Sequence, residues 1–444
     1  MMTRRNVLKS AAGLVMLQQM SRFEALAAPL AGNDFRALVC VFLMGGNDSN
    51  NMIIPTDAAG YAAYLAARGN STTTSGALGL PQSSLVQLTG ANYALHPNLA
   101  PLLPVWQQGK LALQFNVGTL VRPISKAEYR VGANQPDNLY SHSDQQGQWQ
   151  TAVVKGPQRS GWAGRIADLG AASGVLPLAI STAGNQPFAA GLRSSGLAIP
   201  ASGTFSLAGF GSSPQTNPLF KAMSALRGVD LANSQVAAAA GTMGGAVNAS
   251  TALASVLSGT STITSLFTGQ NNSLAQQLQQ VARIIEARQA LGLGRQIFMV
   301  THNGYDTHSD QLNKQGSLFK ELGLALKSFY DAMAQLGVAN QVTTFTNSDF
   351  SRTLKPNAGG SDHAWGGHHL VLGGGVKGGT YGTFPALVNG GVDDVTSQGR
   401  WLPTTSVDQY SATLASWFGV QDTDLPSVFP NLGAFPVRNL GFMA

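Results

Sequence analysis

The sequence predicts an α/β protein: a mainly parallel sheet with helices on both faces and a helical insertion. Three observations predict it. Short apolar runs of strand length recur along the chain and end in glycine- or histidine-bearing loops. Between two of these runs, Leu318, Leu322, Leu326, Phe329, Met333 and Leu336 recur at spacings of three and four, the stripe of an amphipathic helix. Strands that alternate with such helices pair in parallel and bury both faces of the sheet.

In order along the chain, residues 37–44 form a continuous apolar run ending in Gly45-Gly46-Asn47-Asp48, the pattern of a strand buried on both sides. Residues 110–117 are a second strand, led in by Leu95-His96-Pro97 and a short helix near Trp106. Residues 161–169 read as helix and 176–181 as strand. Between 194 and 294, segments rich in Ala, Ser, Thr and Gly surround two helical patterns, 234–257 and 273–291, read as the insertion. Residues 296–301 return as an apolar strand, 317–336 as the amphipathic helix, and 341–346 and 370–372 as further strands.

The first residues are an address rather than part of the fold. Arg4-Arg5 and Lys9 precede a weakly apolar stretch, and Ala25-Leu26-Ala27 offers a small-residue cleavage site, so residues 1–27 read as a twin-arginine export signal. The twin-arginine translocase is the partner this implies, the periplasm or the exterior is the destination, and residues 28–444 are the mature domain. Four cationic residues against Glu24 place +3 of the formal +6 charge in that signal. The remainder has no Lys/Arg cluster or aromatic-basic stripe, which excludes a nucleic-acid footprint. No apolar run is long enough to span a membrane. Cys40 is the single cysteine, so no disulfide forms within the chain, and it reads as a small buried hydrophobe.

Five of the seven histidines lie between residues 302 and 369. Imidazole nitrogen and carboxylate oxygen are the ligands that hold zinc and similar divalent ions. Ligands of open parallel sheets gather beyond the carboxyl ends of strands, and Asp48, Asp306 with His308, Asp349, and His363 are each expected to follow a strand. Each also has an ordinary reading. Asp48 suits a helix N-cap, and Asp306-Thr307-His308 suits a capped turn. His302 reads as a hydrogen-bonded core group, and His96 as a partner for backbone. His368 and His369 face opposite ways on a strand, so at most one reaches the site. Ser141, ahead of a helical stretch through Trp149, is either a nucleophile placed at a positive helix end or a helix cap.

Together these residues resemble a family. The markers are Gly45-Gly46-Asn47-Asp48 with Asn51 and Pro55, Leu95-His96-Pro97 through Val121, and Ser141-His142 with Gln145 and Trp149. Gly304-Tyr305-Asp306-Thr307-His308, Phe350-Ser351-Arg352-Thr353, and Asp362-His363 through the glycine-rich run ending at Gly379 complete them. The chain resembles the domain-of-unknown-function family fifteen-hundred-and-one, over nearly all of its mature length. That resemblance implies an alkaline-phosphatase-like, sulfatase-like architecture. It implies Asp48, Asp306, His308, Asp349 and His363 as metal ligands and Ser141 as nucleophile. Phe350 stands where the superfamily's second metal site has a histidine, which implies one metal or a degenerate site rather than two.

The function expected on this basis is an exported, metal-dependent hydrolase of a phosphate or sulfate ester. Its cofactor is a divalent ion, zinc first, with manganese, calcium and magnesium as alternatives. Ser141 or water attacks, and Arg352 or Arg122 holds the anionic group. A non-catalytic exported binding or assembly protein on the same fold is the alternative. A redox protein ranks last, for want of cysteine ligands, haem motifs or a dinucleotide glycine fingerprint.

Overall fold

The computed structural model describes residues 34–170, 174–203, 205 and 216–444. The export signal read in residues 1–27 lies outside the described residues. The strands are β1 (Arg36–Met44), β2 (Ile53–Pro55), β3 (Val86–Gln87), β4 (Tyr93–Leu95), β5 (Leu111–Gly118), β6 (Ala179–Ser181) and β7 (Leu197–Ala198). They continue as β8 (Arg295–Asn303), β9 (Val342–Ser348), β10 (Gly367–Gly373), β11 (Gly379–Tyr381) and β12 (Thr405–Ser406).

The main sheet runs β11-β5-β10-β9-β1-β8-β6-β7, with β12 also on β5, and β2-β4-β3 form a small second sheet. In the main sheet β1 pairs in parallel with both β8 and β9, and β6 with β8. β10 alone runs antiparallel, against β5 and β9. The α/β class expected from the sequence is therefore observed, a mixed and mostly parallel sheet with helices on both faces.

β1 lies at the centre because its residues are apolar on both faces. Val39, Val41 and Leu43 enter one core, with Leu278, Val281 and Ile285 of helix Ser273–Glu286 and Phe319, Leu322, Leu326 and Phe329 of helix Gln311–Gln335. Leu38, Cys40 and Phe42 enter the opposite core with Trp162 and Ile166 of helix Trp162–Leu169 and Tyr410, Leu414 and Phe418 of helix Val407–Phe418. A side-chain period of two on the strand, met by helices on both sides, produces the three layers. Burial drives the Cys40 thiol pKa upward, consistent with a packing role.

Some boundaries differ from the sequence reading. The amphipathic helix begins at Gln311, after Asp310 in a left-handed conformation with φ of 51°, six residues before the start read from the sequence at 317. Strand β6 holds only Ala179–Ser181. Within 194–294 a further helix, Pro218–Leu226, precedes Ser234–Ser258. Helix Ser273–Glu286 lies on the sheet as part of one core rather than as a cap. Among the described residues no helix is long and apolar enough to cross a membrane.

One buried acid gives the fold a pH dependence. Asp408, in the first turn of helix Val407–Phe418, is fully buried, and burial lifts its carboxyl pKa to about 7 against the pull of the Asn431 amide and Arg165. In the unfolded chain an aspartate titrates near about 3.9. Between these values the native state keeps a proton that the unfolded state has lost, so stability falls as pH rises toward about 7 and then levels off. The Asp408→Asn variant removes this loss. Denaturant unfolding at pH 5 and pH 8 is expected to show the stability difference moving in the variant's favour at the higher pH.

Candidate metal centre

The carboxyl ends of β1, β8 and β9 meet at one sheet edge, and the antiparallel β10 enters from that same edge. His363, in the loop that follows β9 and leads into β10, therefore arrives beside the loop after β8. Gly45 and Gly46 close the loop after β1 with φ of 112° and 84°. A Cβ on Gly45 would come within 2.5 Å of the Asp306 amide nitrogen, so the two loops approach too closely for any other residue. The Tyr305 N–H donates to the Met44 carbonyl at 3.1 Å and ties the loops together.

Three imidazoles converge on one carboxylate oxygen. Asp306 Oδ1 lies 3.0 Å from His308 Nε2, 3.4 Å from His363 Nε2 and 3.5 Å from His142 Nε2. The Nε2 atoms of His308 and His363 are 3.1 Å apart. Ligand atoms of His142, Asp306 and His363 all lie within 4.8 Å of one another, a group able to hold a metal ion. Bonds of about 2.0–2.2 Å around a tetrahedral ion put neighbouring donors about 3.3–3.6 Å apart; His363 and His142, at 3.4 and 3.5 Å from Asp306 Oδ1, match this, and His308, at 3.0 Å, stands slightly closer.

His363 Nδ1 lies 2.8 Å from the Tyr140 carbonyl oxygen, which can only accept, so that nitrogen carries the proton and Nε2 presents a lone pair. His142 Nδ1 lies 2.7 Å from Asp349 Oδ2, which sets the same tautomer, and its Nε2 is buried with no hydrogen-bond partner. His308 Nδ1 faces Asp362 Oδ1 at 3.4 Å. Neutral His142 and His363 would thus turn lone pairs toward Asp306 Oδ1, which also accepts from Arg352, an arrangement that a bound cation relieves.

The surrounding shell holds these rings in place. Asp349 is fully buried and accepts from the Gly45 amide at 3.1 Å and from Gln146 Nε2 at 2.8 Å, besides His142. Its hydrogen bond is the main reason the His142 pKa is raised, against the opposing effect of burial. Burial lowers the His363 pKa against the pull of the Tyr140 carbonyl, and repulsion from Arg352, and from His142 whenever it is protonated, adds to the lowering. Partial burial pushes Asp306 upward, but Arg352 and His308 outweigh it and hold its carboxyl below the ordinary value. Phe350 packs its ring at 4.8 Å from that of His142 and 4.6 Å from that of His363. It serves as a wall for two rings of the cluster where the resemblance expects a histidine. Tyr140 sits at a φ of 73°, a left-handed conformation costing a non-glycine residue about 1–2 kcal/mol, and this turns its carbonyl toward His363. Gln145 Oε1 holds the Tyr140 amide at 2.8 Å.

Of the residues expected to hold a metal, the structure brings Asp306, His308 and His363 together, but not Asp48. Both oxygens of Asp48 are taken by Arg68, at 2.6 and 2.7 Å, in a fully buried pair that Gln311 also joins, and Oδ1 accepts from the Asn50 amide. That carboxylate is neutralised inside the protein and does not face the cluster. Asp349 supports His142 through Nδ1 instead of offering itself as a ligand. Arg352 has no side-chain exposure and spends its nitrogens on the carbonyls of Gly45, Gly46, Tyr305 and Ser361 and on Asp306, so it cannot reach a substrate anion. Arg122 pairs with Glu128. Ser141 is the N-cap residue by position, yet its hydroxyl donates to Asp144 Oδ2 at 2.6 Å.

Sequence reasoning missed His142. Its signal was present in the Ser141-His142 marker, at a helix start opposite the strand loops, but the serine drew the assignment. Of the other histidines, His96 Nδ1 accepts from the Asn98 amide, and His302 bonds Tyr305 and Glu321. His368 and His369 are buried, which drives each pKa to about 3, and neither belongs to the cluster.

The family described as "Protein of unknown function (DUF1501)" matches residues 36–405, and the chain belongs to it. No protein of curated function matches the sequence. Among solved structures the chain is similar to the PsFucS1 sulfatase from Pseudoalteromonas sp., at 10% identity and a TM-score of 0.33, covering 94% of this chain and 73% of that one. It is also similar to Ps i-CgsB in complex with k-i-k-neocarrahexaose, at 10% identity and a TM-score of 0.31, covering 90% of this chain and 77% of that one.

Substituting Asp349→Asn leaves the three imidazoles and Asp306 in place but weakens the partner that orients His142. Zinc titration against a chelating indicator is expected to show affinity about 10–100-fold lower with unchanged stoichiometry. Equal affinity in variant and wild type would count against a supporting role for Asp349.

Proposed function

We propose that this family member is an exported, metal-dependent hydrolase of phosphate or sulfate esters, with one divalent ion held by His142, Asp306, His308 and His363. The observation that carries the reading is the convergence of three imidazole nitrogens on Asp306 Oδ1, with His142 Nε2 buried and unpartnered. Mixed nitrogen and oxygen donors at this spacing favour zinc, with manganese, calcium and magnesium less well suited to three imidazoles.

A bound ion supplies Lewis acidity, toward water and toward the oxygens of an ester. The chain's own residues supply orientation. Asp349 and the Tyr140 carbonyl keep the Nδ1 protons on His142 and His363, so both rings offer Nε2 to the centre. Arg352 donates to Asp306 and holds a fixed positive charge beside it, which opposes a second ion on the same carboxylate. This supports a one-ion centre.

Water, rather than Ser141, is the proposed attacking group, because the serine hydroxyl is already bonded to Asp144. The same engagement favours the second reading, a non-catalytic exported binding protein, over a covalent serine mechanism. Export rests on the arginine pair and the small-residue site at 25–27.

The test is elemental analysis of zinc-loaded protein beside a screen of phosphate and sulfate esters. About one ion per chain is expected, lost in Asp306→Asn and kept in Ser141→Ala, with ester turnover following the ion and not the serine. No bound ion after loading with zinc or manganese would sink the reading. One ion without turnover on any ester would favour the binding protein.

A further inference from the structure

The arginines expected to meet an anion are occupied, and this leaves the centre without an obvious counter-charge for an ester. Arg352 is sealed among carbonyls, Arg68 is locked on Asp48, and Arg122 is paired with Glu128. Arg400, which the sequence did not single out, is placed differently. Its Nε donates to the carbonyl oxygen of His363 at 2.7 Å, and its guanidinium carbon lies 4.7 Å from the centroid of the Tyr140 ring. It therefore touches a metal-ligand residue and the residue whose carbonyl orients that ligand.

Arg400 is also rigidly presented. The fully buried Asp394 gathers the amides of Gly390, Thr396, Ser397, Gly399 and Arg400 at 2.7–3.0 Å and so organises the turn from which the arginine projects. Next to it, the buried Trp401 donates to Asn50 Oδ1 at 2.8 Å and accepts from the Gly366 amide, pinning the turn to the loops of the centre. Arg400 itself is half-buried. Among the described residues no carboxylate stands within ion-pair reach of its guanidinium, and its terminal N–H groups have no acceptor.

A guanidinium fixed at one nitrogen and along one face, with a free fork of N–H groups, is shaped for a bidentate oxyanion. The side chains of the cluster remain open to solvent, from 24% for His363 to 48% for His308, so an anion can approach. We propose that Arg400 is the anion-binding residue of this centre, receiving two oxygens of a tetrahedral phosphate or sulfate group beside His363. The proposal rests on the metal-centre reading and adds to it the residue that selects an anionic substrate.

The test is calorimetric titration of inorganic phosphate, and separately of sulfate, into zinc-loaded wild type, Arg400→Gln and Arg400→Lys, with zinc content measured in each. Loss of a charge-assisted hydrogen-bonded pair predicts affinity about 10–100-fold weaker in Arg400→Gln. Arg400→Lys, which keeps charge but not the fork, is expected between the two. Zinc content is expected to stay the same in all three. Anion binding undiminished in both variants, or no anion binding by zinc-loaded wild type, overturns the assignment and leaves the metal centre standing. Failure of the wild type to take up zinc overturns the underlying reading instead.

Discussion

Lone pairs that face one another across about 3 Å repel unless a positive charge lies between them, and the edge of this sheet is built around that constraint. The tautomers are set from outside the cluster. A carboxylate fixes His142 and a backbone carbonyl fixes His363, so the Nε2 atoms of these two rings point inward as acceptors, toward an Asp306 oxygen that Arg352 also holds. Even the left-handed backbone at Tyr140 belongs to this arrangement, because the carbonyl of that residue is the one that bonds His363. The loops that carry these groups come from β1, β8, β9 and the lead-in to β10, with helix His142–Thr151 added from the connection after β5.

Buried arginines set the limits of the centre. Arg68 neutralises Asp48 and Arg352 ties four carbonyls to Asp306, so two positions that would enlarge the site are filled by fixed cations. Removing either partner of the buried Arg68–Asp48 pair leaves an uncompensated charge, at a cost of about 3–5 kcal/mol, so that pair belongs to the fold as much as to the site. The centre that remains is small and rich in nitrogen, and open on one side.

Much of the fold was legible because its signals are local. The unbroken apolar run of β1 states that both faces are buried, and the three-four spacing of Leu322, Leu326 and Phe329 states which helix face meets the sheet. The direction of β10 was not legible, since an antiparallel strand has the same composition as a parallel one, and this hid why His363 reaches the centre from the front of its strand. Asp306, His308 and His363 could be picked out by residue type near strand ends. Asp48 has the same local appearance, and only the tertiary position of Arg68, twenty residues on, decides that it pairs internally. His142 and Arg400 were missed for the same reason: their roles depend on what stands across from them, which spacing along the chain does not encode.

The most direct measurement is X-ray absorption at the zinc edge of the loaded protein. The account predicts a first shell of nitrogen and oxygen at about 2.0–2.2 Å, with the outer-shell scattering of about three imidazoles. A shell of oxygen alone, or one with a single imidazole, would contradict it, because the ion would then sit somewhere other than among His142, His308 and His363.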